Sequence, residues 1–293
     1  MSARDQGPAA AVALAALAFF APPGVGPIVL ALTIALFVVP HGALDALSLR
    51  GTGPWVAYLL VAAIVACGWW VAPVPSLALF FAVTVAHFAQ GDAAWLEARP
   101  GRTARALARG MLPVALPGVF HADAYQEAIG VVLVALGAPV QGGMSWLGPL
   151  CWAVTALALA GSVLAGGRDT WRQDATELGL LTVLNALASP LLSIGLYLAL
   201  WHGWRHALRV GALRTGAGTV RSAWRAAKAS RGVVATSVGG FLALIAGLAL
   251  TGTEPSAVLG PTLALLSALT VPHVLVVTAL DFGWADAGEP TPG

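Results

Sequence analysis

The chain has 293 residues, of which 58% are hydrophobic and 10% are charged, and its mean hydropathy is +0.83. Soluble domains carry about 25% charged residues, so this composition excludes an ordinary soluble protein and predicts an integral membrane protein. The net charge of +2 is too small to indicate binding of nucleic acid. The two cysteines, Cys67 and Cys151, lie in apolar runs, which predicts packing residues in a reducing setting rather than a disulfide framework.

Apolar runs of the length of a bilayer crossing, or nearly so, follow one another along the chain, since one crossing needs about 20 residues. They fall at about 27–48, 55–72, 76–96, 103–119, 146–166, 174–209, 232–252 and 257–280. The shorter run 9–21 predicts a further helix that ends at Pro22-Pro23-Gly24. The run 174–209 is too long for one simple crossing, and Ser189-Pro190 in its middle predicts two helices or a broken one.

These runs predict an all-α fold, a polytopic transmembrane bundle of about 8–10 helices. The bundle is expected to form a single integral-membrane domain over residues 1–293. The apolar stretch 124–138 is short, so we expect it to lie in the membrane interface or to re-enter the membrane from one side.

Basic residues indicate the orientation in the bilayer. They cluster in segments 97–110 and 203–231, with Arg168 and Arg172 between them, whereas the loops near 72–75, 121–124 and 253–256 carry no Lys or Arg. By the positive-inside rule the basic segments are cytoplasmic. We therefore predict a multi-pass protein of the cell's inner (plasma) membrane.

The histidines lie at similar distances from the charged ends of their runs. His41 lies nine residues before Arg50, His87 ten before Glu97, His202 seven before Arg209 and His273 eight before Asp281. At 1.5 Å per residue these separations are about 10–15 Å, so four helices are expected to place an imidazole at one depth. His206 follows His202 by one turn on the same face, because residues i and i+4 are neighbours on a helix.

Several imidazoles at one level inside the bilayer predict a metal centre. Ionisable residues within a membrane usually mark functional sites, and neutral imidazole binds Zn, Cu, Fe and Ni. The alternative is that each histidine makes its own hydrogen bond between helices, and the shared depth favours the metal. Asp45, four residues after His41, and Asp92, five after His87, are expected to accept hydrogen bonds from ligating imidazoles; the alternative for both is a helix cap or a salt bridge to a nearby arginine.

The remaining polar residues of the apolar runs are assigned to structure. Arg205 and Arg209 are expected either to extend to the headgroups or to pair with a carboxylate of a neighbouring helix. Glu177 and Asn185 are expected to make hydrogen bonds between helices. His121 is expected near the opposite face of the membrane, outside the metal centre.

Five motifs in order carry a resemblance to a known family. They are VPHGALD at 39–45, AHFAQGD at 86–92, RGMLPVALPGVFH at 109–121, WHGWRH at 201–206 and VPHVLVV at 271–277. Together they resemble the ordered motifs of the Brp/Blh family, the membrane β-carotene 15,15′-dioxygenases of bacteria and archaea. The resemblance extends over about residues 35–280.

The resemblance implies a catalytic non-haem Fe(II) held by His41, His87, His202 and His206. It further implies that β-carotene is cleaved at its central double bond with O₂, giving two molecules of all-trans-retinal. His273, in the last motif, is expected beside the metal, as a further ligand or, preferably, as a hydrogen-bonding neighbour.

Two positions depart from the family's motifs. Ala89 stands where members more often have glycine after the phenylalanine, and Ala46 stands where a second histidine often follows HGALD. Both departures leave the four implied ligands in place and change their immediate surroundings.

The alternative function is a non-catalytic carotenoid- or retinoid-binding protein, or another membrane protein with a histidine-ligated metal. A di-iron desaturase would need HxxHH boxes, and the chain has a single HxxxH. A haem protein with paired histidine ligands would show a Soret band on purification. A retinal Schiff base needs a lysine within a helix, and the only lysine, Lys228, lies in a basic segment.

Overall fold

A computed structural model describes residues 3–18, 25–138, 144–168, 170–216, 219–229, 231–250 and 255–281. The regular secondary structure of these residues is helical throughout, without a strand. Within the described ranges, four helices are long and apolar enough to cross a membrane: Thr52–Val71, Pro73–Ala93, Leu147–Ala165 and Gly260–Asp281. The predicted all-α membrane fold is confirmed.

The helices follow the apolar runs of the sequence closely. They are α1 Ala3–Ala18, α2 Val25–Thr33, α3 Val39–Ala43, α4 Thr52–Val71, α5 Pro73–Ala93, α6 Arg102–Phe120, α7 Ala122–Ala135, α8 Leu147–Ala165, α9 Trp171–Leu187, α10 Pro190–Leu196, α11 Trp204–Thr215, α12 Val220–Ala229, α13 Arg231–Leu250 and α14 Pro255–Asp281. Two wider π-helical turns, Ile34–Val38 and Tyr197–Gly203, connect α2 to α3 and α10 to α11. A short 3₁₀ turn, Leu44–Leu47, follows α3.

The long run 174–209 is broken where the sequence predicts. Helix α9 ends at Leu187, and α10 begins at Pro190. Proline suits the first turn of a helix, since no backbone N–H is required of it there. The expected stop of the first helix at Pro22-Pro23-Gly24 lies outside the described residues.

The chain divides into two compact units, each made of three chain segments. The first unit comprises Met1–Ile34, Thr84–Ala128 and Gly142–Arg205, and the second comprises Ala35–Val83, Ile129–Gln141 and His206–Gly293. The single membrane domain expected over residues 1–293 stays a prediction.

The apolar core of the first unit is built from α1, α5, α6, α8, α9, α10 and the second π-turn. Leu112 of α6, Leu181 of α9 and Trp201 of the π-turn are all fully buried in it. Small residues allow close approach of helices in membranes. At Gly110 of α6, a Cβ atom would overlap the carbonyl oxygen of Val85 in α5, so the two backbones touch at this point.

Contacts between helices show which loops lie at which end of the first unit. At one end the loop before α6 meets the end of α8, because a Cβ atom at Gly101 would overlap the carbonyl oxygen of Ala165. At the other end the His121 ring lies 3.0 Å from the carbonyl oxygen of Asn185. The basic loops that precede α6 and α9 therefore lie at the same end, as their assignment to one side of the membrane requires.

In the second unit α14 packs along α4, and α3 packs against α13 and α14. The Tyr58 hydroxyl of α4 donates to the carbonyl oxygen of Leu269 in α14 at 3.4 Å. This packing brings the chain segment around Asp45 next to α14, which carries His273.

Candidate metal centre

The first unit brings two of the four predicted ligands together. His87 lies in α5 and His202 in the second π-turn, and their Nε2 atoms are 3.0 Å apart. Both side chains are buried, with 3% and 5% exposure. Their ring centroids are 4.7 Å apart, and the rings meet edge to face.

Neighbouring side chains fix the position of the His202 ring. The Phe88 ring lies 4.7 Å from it, and Tyr197 packs edge to face on Phe88 at 4.9 Å. Gly91 also lies next to the His202 ring, since a Cβ atom there would be 3.2 Å from Cε1 of His202. The imidazole therefore has little room to shift within the buried core.

The His87–His202 pair fits two neighbouring ligands of one cation. With metal–nitrogen bonds of about 2.1 Å, two imidazoles at right angles have nitrogens about 3.0 Å apart. The same separation fits an N–H···N hydrogen bond between the rings. Among the side chains that the structure describes, no group of three or more His, Cys, Asp or Glu is arranged to hold a metal. The full set of four ligands therefore stays a prediction.

His41 belongs to α3, directly after the first π-turn, and its side chain lies outside the described residues. Both π-turns thus adjoin or contain a predicted ligand. Such turns are frequent at functional sites of helical proteins.

The second unit brings the predicted ligand His206 close to His273. Their ring centroids are 5.4 Å apart in an edge-to-face arrangement. Nδ1 of His273 lies 2.9 Å from both carboxylate oxygens of Asp45. The sequence predicts His41 as the partner of Asp45, whereas the structure gives it His273, 228 residues away. A carboxylate behind an imidazole is the usual device that orients metal-binding histidines.

Asp92 pairs with an arginine. Nη1 of Arg205 donates to Oδ1 of Asp92 at 2.6 Å, and Nη2 donates to Oε1 of Glu177 at 3.0 Å. Arg205 is 2% exposed, so it does not extend to the headgroups, and the alternative of a pair with a neighbouring helix is confirmed. A direct role of Asp92 beside His87 stays a prediction.

The charge network continues from Glu177 into α6. Nε of Arg109 donates to Oε2 of Glu177 at 2.6 Å, and its Nη2 donates to Oδ1 of Asp174 at 2.7 Å. Arg105 binds both oxygens of Asp174 at 2.8 Å. The interpretation of 97–110 as one basic loop is therefore wrong in its second half, since Arg105 and Arg109 are buried in a helix. Hydropathy alone does not distinguish a solvated arginine from a paired one.

Six buried side chains on four segments of the first unit form this network, which we call the ion network. Its members are Asp92, Arg105, Arg109, Asp174, Glu177 and Arg205. Three positive and three negative groups give it no formal net charge. Removing one partner of a buried ion pair costs about 3–5 kcal/mol, because the other charge is left uncompensated.

Two other polar residues also match their expected structural roles. Arg209 of the second unit forms an ion pair with Asp281 of α14. His121 ends α6 and contacts the carbonyl oxygen of Asn185, far along α6 from the ion network. Neither observation adds a metal ligand.

The fold and the site together define an all-α membrane protein with two buried histidine pairs, one of which contacts a carboxylate through His273. The sequence model of the β-carotene 15,15′-dioxygenase family matches residues 32–281, which include all five motifs. A relative from Halobacterium salinarum, described as a probable β-carotene 15,15′-dioxygenase Blh, is 32% identical over an alignment of 292 residues. That alignment covers 84% of this chain and 81% of the relative.

The chain therefore belongs to the β-carotene 15,15′-dioxygenase family, which consists of oxidoreductases of carotenoid cleavage. No solved structure matches the chain.

Proposed function

We propose that the protein is an Fe(II)-dependent dioxygenase that cleaves the central 15,15′ double bond of β-carotene with O₂ and yields two molecules of all-trans-retinal. The family match over residues 32–281 and the description of the archaeal relative support the substrate and the reaction. The structural observation that carries the proposal is the buried pair of imidazole nitrogens of His87 and His202, 3.0 Å apart.

The iron ligands in this proposal are His41, His87, His202 and His206. When bound, Fe(II) supplies a site for the activation of dioxygen, and non-haem iron is compatible with imidazole ligands. The close His87–His202 pair supports two of the four ligands, and the family match over residues 32–281, which contain all four, supports the set. Asp45 would orient the His273 imidazole within the second unit through its contact with Nδ1.

The protein's own residues would exclude water from the reaction. Phe88, Tyr197 and Trp201 are buried around His202, and they surround it with apolar and aromatic surface. β-Carotene and O₂ are both apolar and both dissolve in the bilayer, so a site at membrane depth meets its substrates there. The proposed location is the plasma membrane, with a multi-pass chain whose basic loops are cytoplasmic.

The proposed reaction is tested with purified protein, Fe(II) and β-carotene in air. The expected product on chromatography is retinal, and a chelator should stop its formation. With ¹⁸O₂, each retinal trapped by rapid reduction to retinol should carry one labelled oxygen. Longer apocarotenals as the sole product would place the cleavage elsewhere, and intact β-carotene bound to iron-loaded protein would indicate a non-catalytic carotenoid-binding protein.

A further inference from the structure

We propose that the Asp92–Arg205 ion pair is a positioning device, which holds the two chain segments that carry His87 and His202 in the register that lets both imidazoles bind one metal ion. This inference rests on the iron centre proposed above and assigns a role to a charged pair outside the four ligands. Asp92 and Arg205 act through the histidines and need not touch the metal or the substrate.

The same two segments are linked twice, at two different heights. One link joins His87 to His202, with 3.0 Å between the Nε2 atoms. The other joins Asp92 to Arg205, with 2.6 Å between Oδ1 and Nη1. Asp92 lies five residues beyond His87, which is about 7.5 Å along α5. A single link lets two helices pivot and slide, whereas two links at different heights fix both rotation and translation.

The arginine of this pair is itself held from two further directions. Its Nη2 donates to Glu177 of α9, and Glu177 is held in turn by Arg109 of α6. The Arg205 guanidinium also lies 5.0 Å above the ring of Trp201, the residue that precedes His202. The Asp92–Arg205 ion pair is therefore bonded to α6 and α9 of the first unit as well as to the two histidine segments.

Burial makes this link stiff. The side chains of Asp92 and Arg205 are 4% and 3% exposed, so water does not compete for their hydrogen bonds. Arginine offers a planar fork of donors, which fixes both partners more firmly than a lysine ammonium would. Residues that orient metal-binding side chains typically contribute about 10–100-fold to metal affinity.

A matched control exists within the same ion network. Arg105 forms a buried ion pair with Asp174 through Nε and Nη2, and it is 1% exposed. The helices that carry this pair, α6 and α9, hold none of the four proposed ligands. Arg105→Gln therefore removes a buried ion pair of the same chemistry without loosening a histidine segment directly.

The experiment compares Arg205→Gln with Arg105→Gln in the full-length, detergent-purified protein, with Co(II) as a spectroscopic probe of the metal centre. Both variants are expected to lower the unfolding temperature. Arg205→Gln should weaken Co(II) binding by about 10–100-fold and shift the visible Co(II) absorption bands, whereas Arg105→Gln should bind Co(II) with the spectrum of the unmodified protein. In the iron-loaded enzyme, Arg205→Gln should lower kcat with little change in KM.

A conservative variant keeps the test decisive if Arg205→Gln does not fold. Arg205→Lys retains the charge and reaches one carboxylate, so its Co(II) affinity should lie below that of the unmodified protein and above that of Arg205→Gln, which is expected to be weakened by about 10–100-fold. The inference is overturned if every Arg205 variant that folds binds Co(II) with the affinity and spectrum of Arg105→Gln. Failure of the unmodified protein to bind Co(II) or Fe(II) would instead overturn the iron centre itself, and the positioning role with it.

Discussion

The His202 imidazole shows how the surroundings of a single residue are set by neighbours of the right size. Phe88 packs on one side of the ring, His87 faces its Nε2 atom, and Gly91 leaves the space next to Cε1. The AHFAQGD motif supplies all three of these neighbours from one helix. Three residues of this motif thus serve one partner ring, while its last residue, Asp92, pairs with Arg205.

Gly91→Ala is expected to disturb this ring without unfolding the protein. The new Cβ atom would lie 3.2 Å from Cε1 of His202, so the imidazole must move by a few tenths of an ångström. Since a displacement of 1 Å can cost about 10²-fold in rate, we expect roughly a tenfold loss of retinal formation. Gly148→Ala is the control, because a Cβ atom there meets no atom within 4 Å; equal activity of the two variants would contradict the expectation.

His202→Ala is expected to abolish both bound iron and retinal formation, while His121→Ala should retain both. The first change removes an imidazole that faces His87 at 3.0 Å, and the second removes a ring that contacts a carbonyl oxygen at the end of α6. Metal analysis and product chromatography on the two purified variants decide the matter. Iron loss in the His121 variant alone would refute the site assignment.

At this scale the sequence predicts residue types better than partners. The depth of the histidines singles out the imidazoles that the structure places in two pairs. The placement of Asp45 and Asp92 at the metal centre stays a prediction. Their partners, His273 and Arg205, lie 228 and 113 residues away. Spacing along one helix cannot reveal a contact that depends on how distant helices pack.

Contacts between helices depend on a few glycines, and the α5–α6 contact has the closest bearing on the site. At Gly110 a Cβ atom would overlap the Val85 carbonyl oxygen and lie 2.9 Å from the Ala89 nitrogen. His87 stands midway between these two contact residues. Any separation of α5 from α6 therefore moves a proposed ligand.

Gly110→Ala is expected to destabilise the protein by about 1–3 kcal/mol, as overpacking does, and to weaken Co(II) binding as well. The added methyl group would meet backbone atoms of α5, so it can be accommodated only if one of the two helices moves. Thermal unfolding and Co(II) titration measure the two effects. Gly161→Ala in α8, where nothing lies within 4 Å, should show neither loss, and an unaffected Gly110 variant would contradict the close contact.

The sequence predicts helices well and the turns between them less well. The break before Pro190 is found because proline has a known effect on a helix. Arg105 and Arg109 are misassigned to a loop, although their spacing of four and the spacing of three between Asp174 and Glu177 place each pair on one helix face. Two matched pairs of opposite charge within apolar runs are the signal that indicates a buried network. The π-turns have no comparable signal, because side-chain preferences barely distinguish them from an α-helix.

For the molecule as a whole, composition predicts a membrane protein, because so few charged residues cannot cover a soluble surface, and the length of the apolar runs predicts that it is helical. The division into two units has no such signature. Each unit is assembled from three separated chain segments. The sequence therefore contains no single point that would mark where one unit ends and the other begins.

The orientation in the membrane is expected to place residue 100 in the cytoplasm and residue 123 on the opposite side, because α6 connects a basic loop to one without Lys or Arg. Pro100→Cys and Asp123→Cys, made after replacing both native cysteines with alanine, test this in intact cells with a membrane-impermeant maleimide. Asp123→Cys should be labelled at once, and Pro100→Cys only after lysis. Labelling of both from one side would show that α6 does not cross the bilayer.

The wide turn at Tyr197–Gly203 makes the winding of the backbone, and not only the identity of its residues, a condition for the histidine pair. A π-turn takes up about one extra residue, because each of its residues advances the chain by less than the roughly 100° of an α-helix. If the same residues were wound as an ordinary α-helix, the helix beyond them would be turned by about 100° relative to the helix before them. Either Leu192 and Leu196 would then leave the apolar core, or His202 would face away from His87, so a more regular helix of the same length would lose this alignment.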